Sequence, residues 1–143
     1  MKITIVAVGN LQFKYLNLLE EYIKKITFFS KINIIEIKEI NETNINLKIQ
    51  KETEKILESI PKNNYVILCS LSGKQYNSQE FVSFFDKSNI TFVIGGSNGV
   101  DETKFENKIC FSKMTFPHQL FRIFLVEQIY RAFSIKNNIK YHK

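Results

Sequence analysis

Ile90-Thr91-Phe92-Val93-Ile94-Gly95-Gly96-Ser97-Asn98-Gly99 is the stretch that decides the fold. Five residues rich in β-branched and aromatic side chains, without polar alternation, read as a strand buried on both faces. They run straight into a glycine-rich turn, where bare backbone lets another group approach closely and tolerates positive φ. Tyr65 to Cys69 is a second apolar run of this kind, followed by Ser72-Gly73-Lys74, which reads as a turn. Strands buried on both faces belong to parallel sheets covered by helices, and the rest of the chain supplies the helices.

Outward from these strands, Ile3 to Val8 forms another β-rich run, ended by Gly9-Asn10. From Leu11 to Phe29, Tyr15, Leu16, Leu19, Tyr22, Ile23 and Ile26 recur at helical spacing. Ile32 to Ile37 alternates as a strand does. Ile45 to Ile60 predicts a second amphipathic helix with Ile49, Thr53, Ile56 and Leu57 inward. Asn77 with Glu80 three residues on forms a capping box opening a helix through Phe85. A short helix is expected over Asp101 to Asn107 and a last strand over Ile109 to Phe111. Pro117 opens a long helix to about Ile135. The alternation predicts an α/β fold, a largely parallel sheet flanked by helices, in one domain over residues 1–143.

Hydrophobic residues make up 44% and charged residues 24%, the balance of a globular protein. No stretch approaches the roughly 20 apolar residues that span a bilayer, and Ile3 to Val8 is too brief for a signal peptide. A cytoplasmic protein without membrane attachment is expected. Two cysteines and two distant histidines are too few for a zinc site, so no metal is expected and Cys69 and Cys110 read as reduced core residues. Twenty basic residues against fourteen acidic ones leave a net charge of +6, which favours a polyanionic partner. The abundance of Lys, Asn and Ile, a bias that AT-rich coding produces in any protein, weakens that inference.

Ligands of such folds bind in the loops at the carboxyl ends of the strands. Three loops qualify: the one after Cys69, Gly95 to Val100, and Phe111 to Pro117. The glycine spacing is not that of a dinucleotide fingerprint, and Leu68 stands where a phosphate loop needs glycine. The third loop brings apolar and hydroxyl side chains and free backbone, with no carboxylate pair and no nucleophile. Such a site suits an adenine ring and a sulfonium-bearing chain better than hydrolysis. The helix after it is apolar on almost its whole circumference, from Leu120 to Phe133. Two readings stand: a central core helix, or one with a face against a partner subunit.

Five fragments then coincide with one family: Ile5-Val6-Ala7-Val8-Gly9, Ile94 to Gly99, Ser112-Lys113-Met114-Thr115-Phe116-Pro117-His118, Glu127-Gln128-Ile129-Tyr130-Arg131-Ala132 and Tyr141-His142-Lys143. Together, in order along the whole chain, they resemble the large-subunit ribosomal RNA methyltransferase H family, minimal members of the SPOUT class of knotted methyltransferases. The resemblance implies an α/β sheet whose C-terminal part threads a trefoil knot, which general rules of chain topology disfavour. It implies a homodimer that takes S-adenosylmethionine as cofactor and methylates N3 of a pseudouridine in large-subunit rRNA of the assembled ribosome. By position, the cofactor site falls on Gly95, on Phe111, Ser112, Lys113, Met114, Thr115 and Phe116, and on the loop after the third strand. There the family has a leucine-aspartate pair where this chain reads Cys69-Ser70-Leu71, so either Cys69 or Leu71 fills the leucine's place. The family's terminal arginine is replaced by Lys143, which keeps the charge and loses the forked geometry.

Methyl transfer from a sulfonium is an in-line displacement that needs close alignment of donor and acceptor. N3 of a uridine-type base must also lose its proton. His118, Tyr141 and His142 are the candidates for that step. His118, in a first helical turn, reads rather as a capping or packing residue, which leaves Tyr141 and His142 of the tail as the catalytic pair. Arg122, Arg131, Lys136, Lys140 and Lys143 are candidates for RNA phosphate contact, each otherwise a solvated charge or, for Arg131, half of a salt bridge with Glu127.

Overall fold

A computed structural model describes residues 1–143. β1 (Lys2–Val8) is buried at every position after the first, and β4 (Asn89–Ile94) likewise. Two such strands cannot face water, and they lie side by side at the centre of a five-stranded sheet ordered β2-β1-β4-β3-β5. Every pairing is parallel, with β2 (Lys31–Ile37) at one edge and β3 (Tyr65–Gln75) and β5 (Lys108–Cys110) on the other side. The α/β architecture expected from the alternation is the one found.

Side-chain alternation along the central strands sends two sets of residues to opposite faces. Ile3, Ile5, Ile90, Phe92 and Ile94 pack under α1 (Phe13–Ile26) and α4 (His118–Lys136), with Leu19, Ile26, Leu125 and Ile129 above them. The short α3 (Ser78–Phe81) and the 3-10 segment after it (Val82–Asp86) add Phe81, Phe84 and Phe85 to the same layer. Val6, Val8, Leu68 and Val93 face the other way, onto Ile56 of α2 (Ile45–Ser59) and Phe105. The capping box is present: Asn77 Oδ1 accepts the Glu80 N–H and Glu80 accepts the Asn77 N–H, both at 2.8 Å. Pro117 stands at the N-cap of α4, where its carbonyl accepts the Phe121 N–H. No helix is long and apolar enough to cross a membrane.

Four local expectations are corrected. Ser72-Gly73-Lys74 is not a turn that ends β3. Cys69 and Lys74 both pair with Ile109, so the chain leaves the ladder over residues 70–73 and re-enters it. Gly73 makes this feasible, because a Cβ there would lie 2.6 Å from the backbone of Ile109. On α2, Leu57 is exposed while Glu52 is fully buried, which reverses the expected inward set at those positions. The short helix between β4 and β5 shrinks to Glu102–Lys104.

The fourth concerns Arg122. It is 1% exposed, donates from Nη1 to Glu36 at 2.6 Å and from Nη2 to the Gly9 carbonyl at 3.0 Å, and so has no surface from which to meet a phosphate. A guanidinium placed inside an apolar helix face is tolerated because these acceptors meet it there.

Gly73→Ala is expected to lower the free energy of unfolding by about 1–3 kcal/mol, the usual range for overpacking. Gly99, at φ +79° with nothing within 4 Å, is the contrast: Gly99→Asn is expected to cost less, because asparagine tolerates the left-handed region. Urea denaturation of the two variants compares them directly, and equal midpoints would contradict the packing at Ile109.

Candidate functional site

The carboxyl ends of β3, β4 and β5 open into a cleft of about 450 Å³, within the range of small-ligand sites. Its base is Gly95 and Gly96. The glycines are there for space and not for conformation, since only Gly9 and Gly99 have positive φ. A Cβ on Gly95 would meet Val100 Cγ1 at 3.0 Å, and one on Gly96 would meet Val8 Cγ1 at 3.0 Å and Glu52 Oε1 at 3.2 Å. The turn closes through the Gly99 N–H, which donates to the Gly96 carbonyl at 3.0 Å.

Opposite lies the segment from Phe111 to Phe116. It leaves β5 and must reach the start of α4, so it follows the rim as a bent segment with no strand to pair against. None of the peptide groups of residues 112–116 bonds to another backbone group. Only local partners occur: the Cys110 thiol donates to the Ser112 carbonyl at 2.9 Å, and the Met114 N–H donates to Ser112 Oγ at 3.0 Å. Phe111, Phe116 and Phe121 form an apolar wall beside this free main chain, with Phe111 and Phe121 rings 4.9 Å apart. Exposed donors and acceptors next to aromatic faces suit a flat heterocycle with a hydrogen-bonding edge.

Of the residues expected at a cofactor site, Cys69, Leu71, Gly95, Phe111, Ser112, Met114, Thr115 and Phe116 line this cleft. Both Cys69 and Leu71 do so, and Lys113 does not. Burial pushes the Cys69 thiol well above its ordinary range, so it acts as wall and not as nucleophile. Sequence reasoning missed Glu102. Its carboxylate accepts from Ser70 Oγ at 2.9 Å and from Ser72 Oγ, with the Lys108 ammonium 3.6 Å away. The Ser72 hydrogen bond first, then Ser70 and Lys108, holds this carboxyl below the usual range against the opposing effect of burial. No motif announces it, because the serines reach it only through the excursion of β3. His118, the first residue of α4, also lines the cleft, beside Gly9.

The tail is elsewhere. Tyr141 donates to Glu127 Oε1 at 3.2 Å, and Arg131 donates to the same carboxylate at 2.6 and 2.9 Å. Arg131 Nη1 also donates to His142 Nδ1 at 3.2 Å, which makes that nitrogen an acceptor. Burial and the neighbouring Tyr22 and Glu127 push the Tyr141 phenol up, so where it stands it is a donor and not a base. Neither residue lines the cleft. Lys136 is tied to the Phe85 carbonyl and Asp86, while Lys140 and Lys143 are exposed.

The family model described as predicted SPOUT methyltransferase matches residues 1–142. The chain belongs to the SPOUT methyltransferase family. Relatives matched over their whole length support the assignment. The protein named ribosomal RNA large subunit methyltransferase H from Mycoplasma mobile is 65% identical over the whole of both chains. Its namesakes from Metamycoplasma arthritidis and Fusobacterium nucleatum are 62% and 46% identical, again over the whole of both chains. As a SPOUT methyltransferase, the chain has at the carboxyl edge of its sheet a cleft made chiefly of backbone and apolar walls, with Glu102 and His118 as polar groups on its lining.

The lowered Glu102 carboxyl links folding to acid. Its contribution is complete above the ordinary value of 4.5 and is lost as pH falls through the lowered one. Wild type and Glu102→Gln are therefore expected to differ in Tm at neutral pH and to converge below pH 4.5. A difference that stays constant through that range would remove the carboxylate from the account.

Proposed function

We propose that this chain transfers a methyl group from S-adenosylmethionine to N3 of a pseudouridine in large-subunit ribosomal RNA, working as a homodimer on the assembled ribosome. The family and the names of its relatives support the ribosomal RNA substrate. The observation that carries the cofactor is the run at residues 112–116 whose peptide groups bond to no other backbone group, facing Gly95 and Gly96 across an apolar cleft.

The residues present fit that cofactor. Peptide N–H and C=O groups of Ser112 to Phe116 supply the edge that an adenine needs, and Phe111 and Phe116 supply its apolar flanks. Gly95 and Gly96 are on the lining and bring only main chain to it. When bound, S-adenosylmethionine supplies an electrophilic methyl on a cationic sulfur. The protein's task is then alignment, desolvation and removal of the N3 proton.

For that proton, the tail pair Tyr141 and His142 and the cleft residue His118 are the groups in question. Tyr141 and His142 lie against Glu127 and Arg131 of their own α4 and not in their own cleft. A catalytic role for them therefore calls for a second copy whose cleft receives the tail, and the homodimer is part of the same proposal. The RNA-contact set loses Arg122, which is buried, and keeps the exposed Lys140 and Lys143, with Lys136 released only if its bonds to Phe85 and Asp86 open. A net charge of +6 draws the chain to the phosphate backbone without choosing a sequence.

A chain ending at Lys140 is expected to fold and to bind S-adenosylmethionine calorimetrically as wild type does, while losing methylation of ribosomes. Nucleoside mass mapping reads that loss as missing 3-methylpseudouridine. Full turnover by the truncated chain would dismiss the tail and leave His118 as the group to test. The same mapping with the mark on another nucleoside would overturn the substrate.

A further inference from the structure

The glycine loop is held from beneath by one face of α2, and that face includes a polar group whose bonding is unfinished. Glu52 is fully buried. One of its oxygens accepts the Ile40 N–H at 2.9 Å, which ties the connection after β2 to the helix. The other, Oε1, has no partner at all. It points at the glycine loop, 3.2 Å from the place a Gly96 Cβ would occupy. Lys48, one turn earlier on α2, and the adjacent Thr53 reach this loop and the residue that follows it. Thr53 Oγ1 accepts the Asp101 N–H at 3.0 Å, and Lys48 Nζ donates to Asn98 Oδ1 at 2.9 Å while paired with Glu39 at 2.7 Å. Ser97 Oγ donates to that Glu39 carboxylate at 3.4 Å. The turn is thus bonded to α2 at Asn98 and the chain just beyond it at Asp101, while Gly95 and Gly96 have no bond to the helix below.

A buried oxygen without a donor costs free energy that a single hydrogen bond recovers. The nearest chain able to provide a donor is the Gly95 to Gly99 turn itself. We infer that Glu52 is a positioning residue for the methyl-donor loop: α2 clamps the turn through Lys48 and Thr53, and Glu52 Oε1 takes a peptide N–H of the turn as the loop settles on its ligand. This rests on the reading of the cleft as the donor site. It explains why position 96 carries no side chain, since a Cβ would come between the carboxyl group and the loop. It also explains why a helix with no residue in the cleft lining keeps a buried acid at its centre.

Glu52→Gln in the full chain separates this role from mere packing. Glutamine keeps the volume, but one of its two terminal atoms is a donor, so either the Ile40 N–H or the loop N–H meets another donor. A packing role predicts near-normal binding. The positioning role predicts that S-adenosylmethionine binds about tenfold more weakly by calorimetry, the loss of one buried hydrogen bond to the loop. It also predicts that binding of S-adenosylmethionine slows amide hydrogen exchange at residues 96–100 less than it does in wild type, with β4 protected in both. Should Glu52→Gln fail to fold, Thr53→Val, which removes the Asp101 anchor, is expected to show the same two effects. Wild-type affinity with unchanged loop exchange in either folded variant overturns the inference. Absence of heat with the wild-type protein overturns the donor reading itself, whereas heat with wild type and no loss in the variant overturns only the clamp.

Discussion

Two strands with no exposed face set the terms for the rest of this protein. β1 and β4 lie side by side, parallel and buried above and below, so the chain leaves them only at the edge of the sheet. From there β1 passes outward to β2, while β4 passes outward in the opposite direction, beyond β3 to β5. Adjacent strands whose chains diverge leave a crevice between their carboxyl ends. Gly9 and the Gly95–Gly96 pair sit on that crevice, and His118 comes over it as α4 begins. The cleft lies to one side of this crevice, over the carboxyl ends of β4, β3 and β5, and borders it at Gly95, Gly96 and His118.

The same constraint explains which parts were legible beforehand. β1, β2, β4, α1 and α2 were readable because their periodicity is local and each has one dominant way to bury its apolar side chains. The Asn77–Glu80 box was readable because both of its bonds lie within four residues. Ser72-Gly73-Lys74 was not, because its return to the ladder depends on Ile109, more than thirty residues away in sequence. Pattern alone also misjudged Glu52 and Arg122. A charged residue on a helix reads as solvated until its partners are known, and these partners are Ile40, Glu36 and Gly9, none on the same helix. The cleft residues were legible as a set only through resemblance, since no spacing connects Cys69 with Phe111. The tail shows the opposite failure. Its polar residues looked free for chemistry, but in this fold Glu127 and Arg131 occupy them.

The electrostatics of the cleft bear on which small molecule it serves. The chain as a whole is basic, yet the carboxylate on the lining, Glu102, is kept ionised by hydrogen bonds from two serines and by Lys108. Glu52 adds a second acidic side chain directly under the glycine loop. A polyphosphate entering this cleft would bring negative charge toward Glu102 in a partly desolvated space, where repulsion is far less screened than in water. It would also find no lysine on the lining to meet it. A ligand carrying net positive charge on a short chain meets neither obstacle. The contrast with the net positive charge is physically consistent: attraction of polyanions acts outside, over distances comparable to the Debye length, while the carboxylate on the lining favours positive charge at contact distance. Two opposite electrostatic preferences can coexist on one small chain because the serines and the glycine loop confine the acidic one to the cleft.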